Sequence, residues 1–295
     1  MSKTVYPEGA APCQIQRLRP QEFDAIRRLA HEKFGLDLRS GKEELVAARL
    51  GKRMREGGFT SFDEYYRHVL DDASGEALVG MIDALATNHT SFLRETAHFD
   101  FLRQYVLSGL RERSRVELWS AACSSGEEPY SLAFTLGDQW GTAALRKVRI
   151  LSTDISTKAL AVAQRAVYPA ERFSAIPPGW LHQFLLRGEG RWKGWYRVKP
   201  EVRSQVEFAR LNLVEPFSQT SQFPVIFCRN VMIYFDKPTQ EALVNRLAAC
   251  LEPGGYLFIG HAESLTGVRH GLTYVRPATY QKPAHESGRG LKWRT

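Results

Sequence analysis

Short apolar runs alternate with helical patterns over residues 115–283 of this chain. The runs are rich in Val, Ile, Leu and Phe, and they occupy residues 116–119, 147–151, 206–209, 225–228 and 256–259. Helical patterns that begin at Pro129, Lys158 and Thr239 lie between them. Because strands that alternate with helices usually form parallel pairs, the pattern predicts a doubly wound, mostly parallel α/β sheet.

The segments around this region carry other patterns. Apolar residues recur at helical spacing after Pro20, and Ser61 with Glu64 forms a capping box, so a helical domain is expected over residues 17–92 and a linker helix over 93–114. Glycine-rich turns predict a small antiparallel insertion at about residues 186–208. Residues 1–16 and 284–295 lack apolar periodicity and are expected to be a flexible and a disordered tail.

Charge and cysteine usage narrow the functional classes. A formal net charge of +8 favours a negatively charged partner, which leaves nucleic acid, a membrane surface or an acidic protein. The four cysteines stand far apart and the eight histidines show no ligand spacing, so we expect free thiols and no metal. Without an apolar run of ~20 residues, a signal-peptide-like start or a heptad seam, we expect a cytoplasmic monomer without membrane insertion.

The first apolar run leads into a loop of small residues that ends in Glu127, Glu128 and Pro129. Ligands of doubly wound sheets bind beside such loops, but two glutamates would repel a phosphate. They would attract a sulfonium and an ammonium group, and S-adenosylmethionine carries both. The alternative is that both are ordinary first-turn acids that complement the helix dipole.

Two further positions fit a nucleoside. Asp154 ends the second apolar run, where a carboxylate commonly accepts hydrogen bonds from ribose hydroxyls; the alternative is a helix cap for the segment at Ser156. Asn212 and Leu213 follow the third run, where an amide and an apolar side chain would suit an adenine ring.

Four segments resemble the family of chemotaxis receptor glutamate O-methyltransferases. They are residues 87–95 (TNHTSFLRE), 119–131 (WSAACSSGEEPYS), 228–236 (CRNVMIYFD) and 260–264 (GHAES), and the likeness extends over about 17–282. The resemblance implies a helical N-terminal domain, a Rossmann-like domain that uses S-adenosylmethionine, and an inserted β-subdomain. It also implies methyl transfer to glutamates of chemoreceptors, which gives methyl esters and S-adenosylhomocysteine.

The resemblance also implies roles for single residues. Those matching the family's residues near the transferred methyl group and the incoming glutamate are Arg94, Arg229 and Tyr234. Those matching its cofactor contacts are Asn88, Thr90, Arg94, Glu128, Asp154, Asn212, Leu213, Cys228 and Arg229. Leu93 replaces an aromatic residue usual in the family, and His89 occupies a variable position, which puts local packing in question.

A glutamate carboxylate is ionised at neutral pH and needs no general base for methyl transfer. Catalysis would then depend on orientation, with arginine holding carboxylates and Tyr234 orienting the substrate through its hydroxyl. The alternative for Tyr234 is aromatic packing between a strand and a helix.

Partner binding is expected at two places. Arg49, Lys52 and Arg53 share one helix face that would meet glutamate-rich receptor helices, although such faces are often simply solvated. The loop at 188–194 resembles that of members that dock a receptor's C-terminal peptide, which would extend the sheet edge.

Two rival functions remain. A nucleic-acid methyltransferase fits the basic charge, but residues 229–232 lack the proline-rich segment common in enzymes that methylate base amino groups, and aromatic residues do not interleave with the basic face. We therefore expect no nucleic-acid partner. A non-enzymatic module that binds the cofactor is the other alternative.

Overall fold

The computed structural model describes residues 15–85, 90–217 and 222–284, within two compact units, Met1–Thr87 and Asn88–Thr295. Almost all of both predicted tails, together with Asn88 and His89, lies outside the described residues. Among the helices that are described, none has the length and apolar character needed to span a bilayer.

The first unit is helical, as predicted. Its helices are α1 (Pro20–Phe34), α2 (Glu43–Gly57), α3 (Phe62–Asp71) and α4 (Glu76–Leu85). The Ser61 side chain accepts the Glu64 N–H at 3.2 Å and caps α3, whereas the Glu64 carboxylate accepts the N–H of Thr60 at 3.0 Å. The apolar face that the periodicity predicted is buried, with Ile26 of α1 and Leu50 and Met54 of α2 fully enclosed.

The second unit contains the remaining helices and all the strands that the structure describes. The helices are α5 (Thr96–Phe101), α6 (Leu107–Leu110), α7 (Glu127–Trp140), α8 (Thr157–Arg165), α9 (Pro178–Phe184), α10 (Pro200–Arg203) and α11 (Lys237–Cys250). The strands are β1 (Val116–Ser120), β2 (Val148–Asp154), β3 (Val167–Pro169), β4 (Leu185–Arg187), β5 (Trp195–Val198), β6 (Val206–Arg210), β7 (Phe223–Phe227), β8 (Leu251–Phe258), β9 (Thr273–Arg276) and β10 (Thr279–Gln281).

The main sheet has the order β6-β2-β1-β7-β8-β10-β9 within the described residues. Its first five strands pair in parallel, and β10 runs antiparallel to β8 and β9. The predicted fold class is therefore confirmed. Because the chain proceeds to one side of β1 with β2 and returns to its other side with β7, the order reverses at the β1–β7 pair. Crevices at the carboxyl ends of such pairs bind ligands.

A second, antiparallel sheet has the order β3-β5-β4 within the described residues. An antiparallel insertion was predicted, but its first strand precedes residues 186–208, and β6, at the end of that range, belongs to the main sheet. The early strand carried no turn signal, because the left-handed residue that ends α8 is Ala166 (φ 53°) rather than a glycine.

The segment expected to be a linker helix is part of the second unit's core. It comprises α5, a π-helical turn at Leu102–Val106, and α6. Phe99, Leu102 and Leu107 are buried in the same apolar cluster as Leu118 of β1 and Phe227 of β7. The residues immediately before α5 are thereby brought to the strand ends where a ligand would bind.

Candidate active site

Arg229 is the centre of a buried ion-pair network at the end of β7. Its side chain is only 2 % exposed, with Nη1 2.9 Å from Oε2 of Glu128 and Nη2 3.0 Å from Oε2 of Glu95. Nη2 also donates to the carbonyl oxygen of Arg94. The planar guanidinium thus joins the start of α7, the turn before α5 and the loop after β7.

Glu128 is held from two sides at the start of α7. The Ser120 hydroxyl, at the end of β1, donates to its Oε1 at 2.7 Å, and Arg229 pairs with its Oε2. Burial raises the pKa of the Glu128 carboxyl, and the Arg229 charge and the Ser120 hydrogen bond oppose that rise.

The turn that presents Arg94 has an unusual backbone. Leu93 and Glu95 have φ values of 52° and 57°, and the Leu93 N–H donates to the Ser131 hydroxyl at 2.9 Å. The Leu93 side chain is buried in the core, so this departure from the resembling family is accommodated by packing. Burial raises the pKa of Glu95, but Arg229 and the hydrogen bonds to Glu95 outweigh it and lower the pKa below its ordinary value.

Asp154 connects two loops. Its Oδ2 accepts the N–H of Ser124 at 2.7 Å, and its Oδ1 accepts the N–H of Ser156 at 2.9 Å. Ser156 rather than Asp154 is the N-cap of α8, because its side chain accepts the Ala159 N–H at 3.1 Å, although Asp154 supports the start of this segment by accepting the Ser156 N–H. The Asp154 carboxylate, 8 % exposed, lies between the loops after β1 and β2.

The remaining predicted cofactor residues are mostly enclosed. The Asn212 side chain donates to Glu215 and accepts the Val214 N–H, while Leu213 and Cys228 pack in the core cluster on the α11 side of the sheet. Burial raises the pKa of the Cys228 thiol well above its usual value, so the thiol stays protonated. Thr90 is also buried, and its carbonyl accepts a hydrogen bond from Arg172.

Tyr234 ends a 3₁₀ turn, Met232–Tyr234, between β7 and α11. Its ring is partly buried against the α11-side core cluster, so the packing alternative describes part of its environment. The backbone places it five positions after Arg229, in the connection that follows β7.

Glu127 does not share the arrangement of Glu128. It is fully buried, its Oε1 lies 2.6 Å from Nη2 of Arg172, and its Oε2 accepts the Ser125 hydroxyl at 2.7 Å. Tyr168 of β3 donates to the Ser125 carbonyl at 2.7 Å. Glu127 was predicted to attract a sulfonium, but its charge is already compensated by Arg172, which lies in the turn after β3.

Replacing Arg172 with glutamine should lower stability and loosen the loop at 124–127. Removing the partner of a buried carboxylate is expensive, and because Arg172 is 37 % exposed we expect a reduced loss of about 1–3 kcal/mol in the free energy of unfolding. Chemical denaturation would measure it, with Arg165→Gln, an exposed arginine of α8, as the matched control. Equal stabilities of the two variants would contradict the pairing.

Two buried polar atoms of this region could still bind a ligand. Ser124 Oγ, beside Asp154, and Arg229 Nε, beside Glu128, are buried without a hydrogen-bond partner among the described residues. Gly126 lets the loop after β1 lie close to α8. A side chain would not fit there, because its Cβ would be 2.8 Å from the Cβ of Ala163. Carboxylates, buried donors and close backbone fit a ligand with ribose hydroxyls and a cationic centre.

Sequence reasoning missed three members of this region, Glu95, His98 and Glu263. Glu95 and His98 have the i, i+3 spacing of neighbours on a helix, which was a usable signal. Ligand atoms of Glu95, His98 and His261 lie within 4.8 Å of one another, as in some metal sites. Arg229 already pairs with Glu95 there, so a metal cation would have to approach a guanidinium.

The predicted receptor-binding residues belong to the first unit. Arg49 donates to the carbonyl of Leu85, and Arg53 lies so close to Gly80 that a Cβ on this glycine would be 1.7 Å from Nη2 of Arg53. Both arginines therefore connect α2 to α4, whereas Lys52 is exposed. Their role in receptor binding stays a prediction.

Comparisons with known proteins agree over nearly the whole chain. Residues 21–86 match the model of the CheR methyltransferase all-alpha domain, and residues 88–280 match that of the CheR methyltransferase SAM binding domain. Chemotaxis protein methyltransferase 2 of Pseudomonas aeruginosa is 40% identical over 88% of this chain and 92% of its own length. The chemotaxis protein methyltransferases of Borreliella burgdorferi and Escherichia coli are 37% and 36% identical, over 88% and 89% of this chain and 94% and 91% of their own lengths.

Proposed function

The chain belongs to the CheR methyltransferase family, and from that premise we propose that it methylates glutamate side chains of chemotaxis receptors with S-adenosylmethionine. The products would be glutamate methyl esters and S-adenosylhomocysteine. The observation that carries the proposal is the buried network in which Arg229 joins Glu128, Glu95 and the backbone of Arg94. The relatives' names as chemotaxis protein methyltransferases support it.

When bound, S-adenosylmethionine supplies a methyl group activated by a sulfonium. Asp154 and Ser124 would bind the ribose, since the carboxylate and the orphaned hydroxyl are neighbours. Glu128 would face the cationic end, and Asn212 with Leu213 would border the adenine. Thr90, Cys228 and Asn88 complete the proposed cofactor set, Asn88 from outside the described residues.

The chain's own residues would bind and orient the glutamate rather than remove a proton from it. Burial, then the Arg229 charge, lowers the pKa of His98 to about 3, and the ring is 2 % exposed. Such an imidazole is a poor proton acceptor and is closed to the substrate. Arg94 and Tyr234 are the groups proposed to orient the substrate carboxylate, and Arg229 is proposed to hold both the cofactor side and Arg94 in place.

Tyr234→Phe should lower kcat/KM for receptor methylation by roughly 10-fold, the loss of one hydrogen bond to a charged group. Packing should be kept, since the ring remains against the core. The measurement is receptor methylation at saturating cofactor, with S-adenosylhomocysteine affinity as the control. An unchanged kcat/KM would leave Tyr234 with a packing role alone.

The basic face of α2 is proposed to meet the acidic receptor helices. Because Arg49 and Arg53 also hold α4, reversing their charge would mix folding with binding, and Lys52→Glu is the cleaner test. We expect a several-fold lower kcat/KM at low salt and a smaller difference at high salt. Arg39→Glu, the same charge change at an exposed loop position, is the control; equal effects would count against the face.

The small sheet offers an edge for a receptor's C-terminal peptide. β5 is its central strand, so β4 has one unpaired side within the described residues, and the exposed Trp192 and Trp195 lie nearby. Main-chain pairing with β4 and contacts with these rings would suit an acidic, aromatic peptide. The enzyme would act as a monomer in the cytoplasm on the receptor's cytoplasmic helices, without a nucleic-acid partner or a metal.

The ester chemistry tests the proposal directly. Receptor-containing membranes would be incubated with the protein and S-adenosylmethionine labelled in the methyl group, and then treated with mild alkali. Glutamate methyl esters release volatile labelled methanol, which is the expected result, whereas methylated amines and nucleobases retain the label. Stable label would indicate another acceptor, and cofactor binding without any transfer would favour the non-enzymatic module.

A further inference from the structure

Glu263 is a buried carboxylate that none of the proposed steps uses. It lies in the loop after β8 and is 9 % exposed. Its Oε1 accepts the N–H groups of Met232 at 2.7 Å and Ile233 at 3.3 Å, and its Oε2 accepts those of Asn230 at 3.0 Å and Gly260. In the part of the chain that the structure describes, backbone amides rather than basic side chains neutralise it.

The amides it binds belong to the turn that carries two functional side chains. Arg229 immediately precedes this turn and Tyr234 ends it. The turn has few hydrogen bonds of its own: the N–H groups of Tyr234 and Phe235 donate to the carbonyls of Val231 and Met232, both at 3.1 Å, and Asn230 has an unfavourable φ of 58°. The Glu263 carboxylate adds acceptors for three N–H groups of the turn, those of Asn230, Met232 and Ile233.

The opposite side of the same turn is also held. Gln240 of α11 donates through Nε2 to the carbonyl oxygens of Met232 at 2.9 Å and Phe235 at 3.0 Å. Against the turn lies Gly260, where a Cβ would be 2.4 Å from Asn230 Nδ2 and 2.9 Å from its backbone nitrogen. The loops after β7 and β8 thus pack with little clearance, and a shift in one displaces the other.

An apolar residue in place of Glu263 would not be equivalent. Burial raises the pKa of the Glu263 carboxyl, and hydrogen bonds from four amides oppose that rise. A buried carboxylate is unfavourable by itself, but its removal would leave several N–H groups without an acceptor. Burying the Glu263 carboxylate lowers the stability of the fold, and its hydrogen bonds require the geometry of this particular turn.

We propose that Glu263 is a positioning residue for methyl transfer, whose carboxylate fixes the 230–233 turn so that Arg229 and Tyr234 keep their working orientation. This role rests on the proposed function. Its effect is exerted through Tyr234 and Arg229, so removing Glu263 and removing the Tyr234 hydroxyl should disturb the same step.

The test is Glu263→Gln, which keeps the shape but turns one acceptor oxygen into a donor that faces N–H groups. We expect kcat for receptor methylation to fall by about 10- to 100-fold. Binding of S-adenosylhomocysteine should keep its stoichiometry and change its Kd by less than about three-fold, since the Asp154 side of the site is untouched. Glu241→Gln is the matched control, because Glu241 also ties a neighbouring loop, through Arg269, at an exposed place outside the site.

A double-mutant cycle separates positioning from simple stabilisation. In the Glu263→Gln background, Tyr234→Phe should lower kcat by much less than it does in the unaltered protein, whereas with Glu241→Gln the two effects should multiply. An unchanged kcat in Glu263→Gln, or a multiplicative effect with Tyr234→Phe, would overturn the proposal. If the glutamine variant binds S-adenosylhomocysteine with reduced stoichiometry, the same double-mutant cycle is measured with Glu263→Asp, which keeps the negative charge. Absence of receptor methylation by the unaltered protein would instead overturn the proposed function, and the positioning role with it.

Discussion

Arg229→Ala is expected to lower kcat for receptor methylation by about 100- to 1,000-fold, the scale of losing a preorganised charge at a buried site. The guanidinium joins Glu128, Glu95 and the Arg94 carbonyl, so its removal separates the cofactor side from the substrate side. Arg229→Lys should recover little, because one ammonium cannot reproduce the fork that contacts two carboxylates. Methylation measured as alkali-labile label is the readout.

The same substitution should destabilise the fold in a pH-dependent manner. Breaking a buried ion pair by removing one partner costs about 3–5 kcal/mol. Loss of the Arg229 charge would raise the folded-state pKa of Glu128 further, and it would raise the pKa of Glu95, which Arg229 lowers in the parent. The unfolded state is the same in both proteins, so the stability gap between variant and parent depends on the folded-state pKa values alone. It should widen as pH rises from the lowered pKa of Glu95 in the parent to the raised pKa values of both carboxyls in the variant.

Denaturation at pH 4 and pH 8 would measure this gap. Arg113→Ala is a suitable control, since Arg113 forms an exposed pair with Glu252 that should contribute little at either pH. A gap that stayed constant from pH 4 to pH 8, or kcat near that of the parent, would contradict the central place given to Arg229.

Asp154→Asn is expected to weaken S-adenosylhomocysteine binding by roughly 10- to 150-fold, the range for one hydrogen bond to a charged group. An asparagine has one acceptor oxygen, so it cannot receive the N–H groups of both Ser124 and Ser156 as the carboxylate does. The loop after β1 would lose the hydrogen bond from the Ser124 N–H to Asp154, and the ribose would lose the carboxylate proposed to bind it. Calorimetric titration would measure the change.

The control for Asp154 is Asp138→Asn on α7. That carboxylate accepts the indole N–H of Trp180 at 3.0 Å, and an asparagine oxygen can replace it. We expect Kd to stay near that of the parent. An Asp154→Asn variant with parental Kd would remove Asp154 from the cofactor site, whatever the activity.

Local patterns were sufficient for the architecture because the strands and helices carry their own periodicity. The apolar runs became β1, β2, β6, β7 and β8, with bounds shifted by a few residues. Asp154 was located correctly at a strand end, since the ends of parallel strands have a known place in such sheets. The three-residue strand β3 was missed because no glycine marks the turn at Ala166.

Local sequence patterns could not predict which residues distant in sequence form ion pairs or hydrogen bonds with each other. Glu127 and Glu128 are adjacent in sequence and looked equivalent, yet one pairs with Arg172 and the other with Arg229. Their side chains leave α7 in different directions, and only the folded arrangement of the small sheet and the β7 loop supplies the two arginines. Glu263 lies in segment 260–264, but no local pattern assigns it a role, because three of its four partners are amides about thirty positions earlier.

Left-handed backbone at residues other than glycine is concentrated where the proposed chemistry lies. Leu93 and Glu95 flank Arg94, Ser124 faces Asp154, and Asn230 follows Arg229. Each such conformation is unfavourable by about 1–2 kcal/mol for a residue with a Cβ. Glycine would relieve this strain, but at Leu93 it would remove a buried core side chain and at Glu95 a partner of Arg229, losses larger than the strain itself. The usual exchange of a strained residue for glycine is therefore closed to a thermostabilised version of this protein at these two positions.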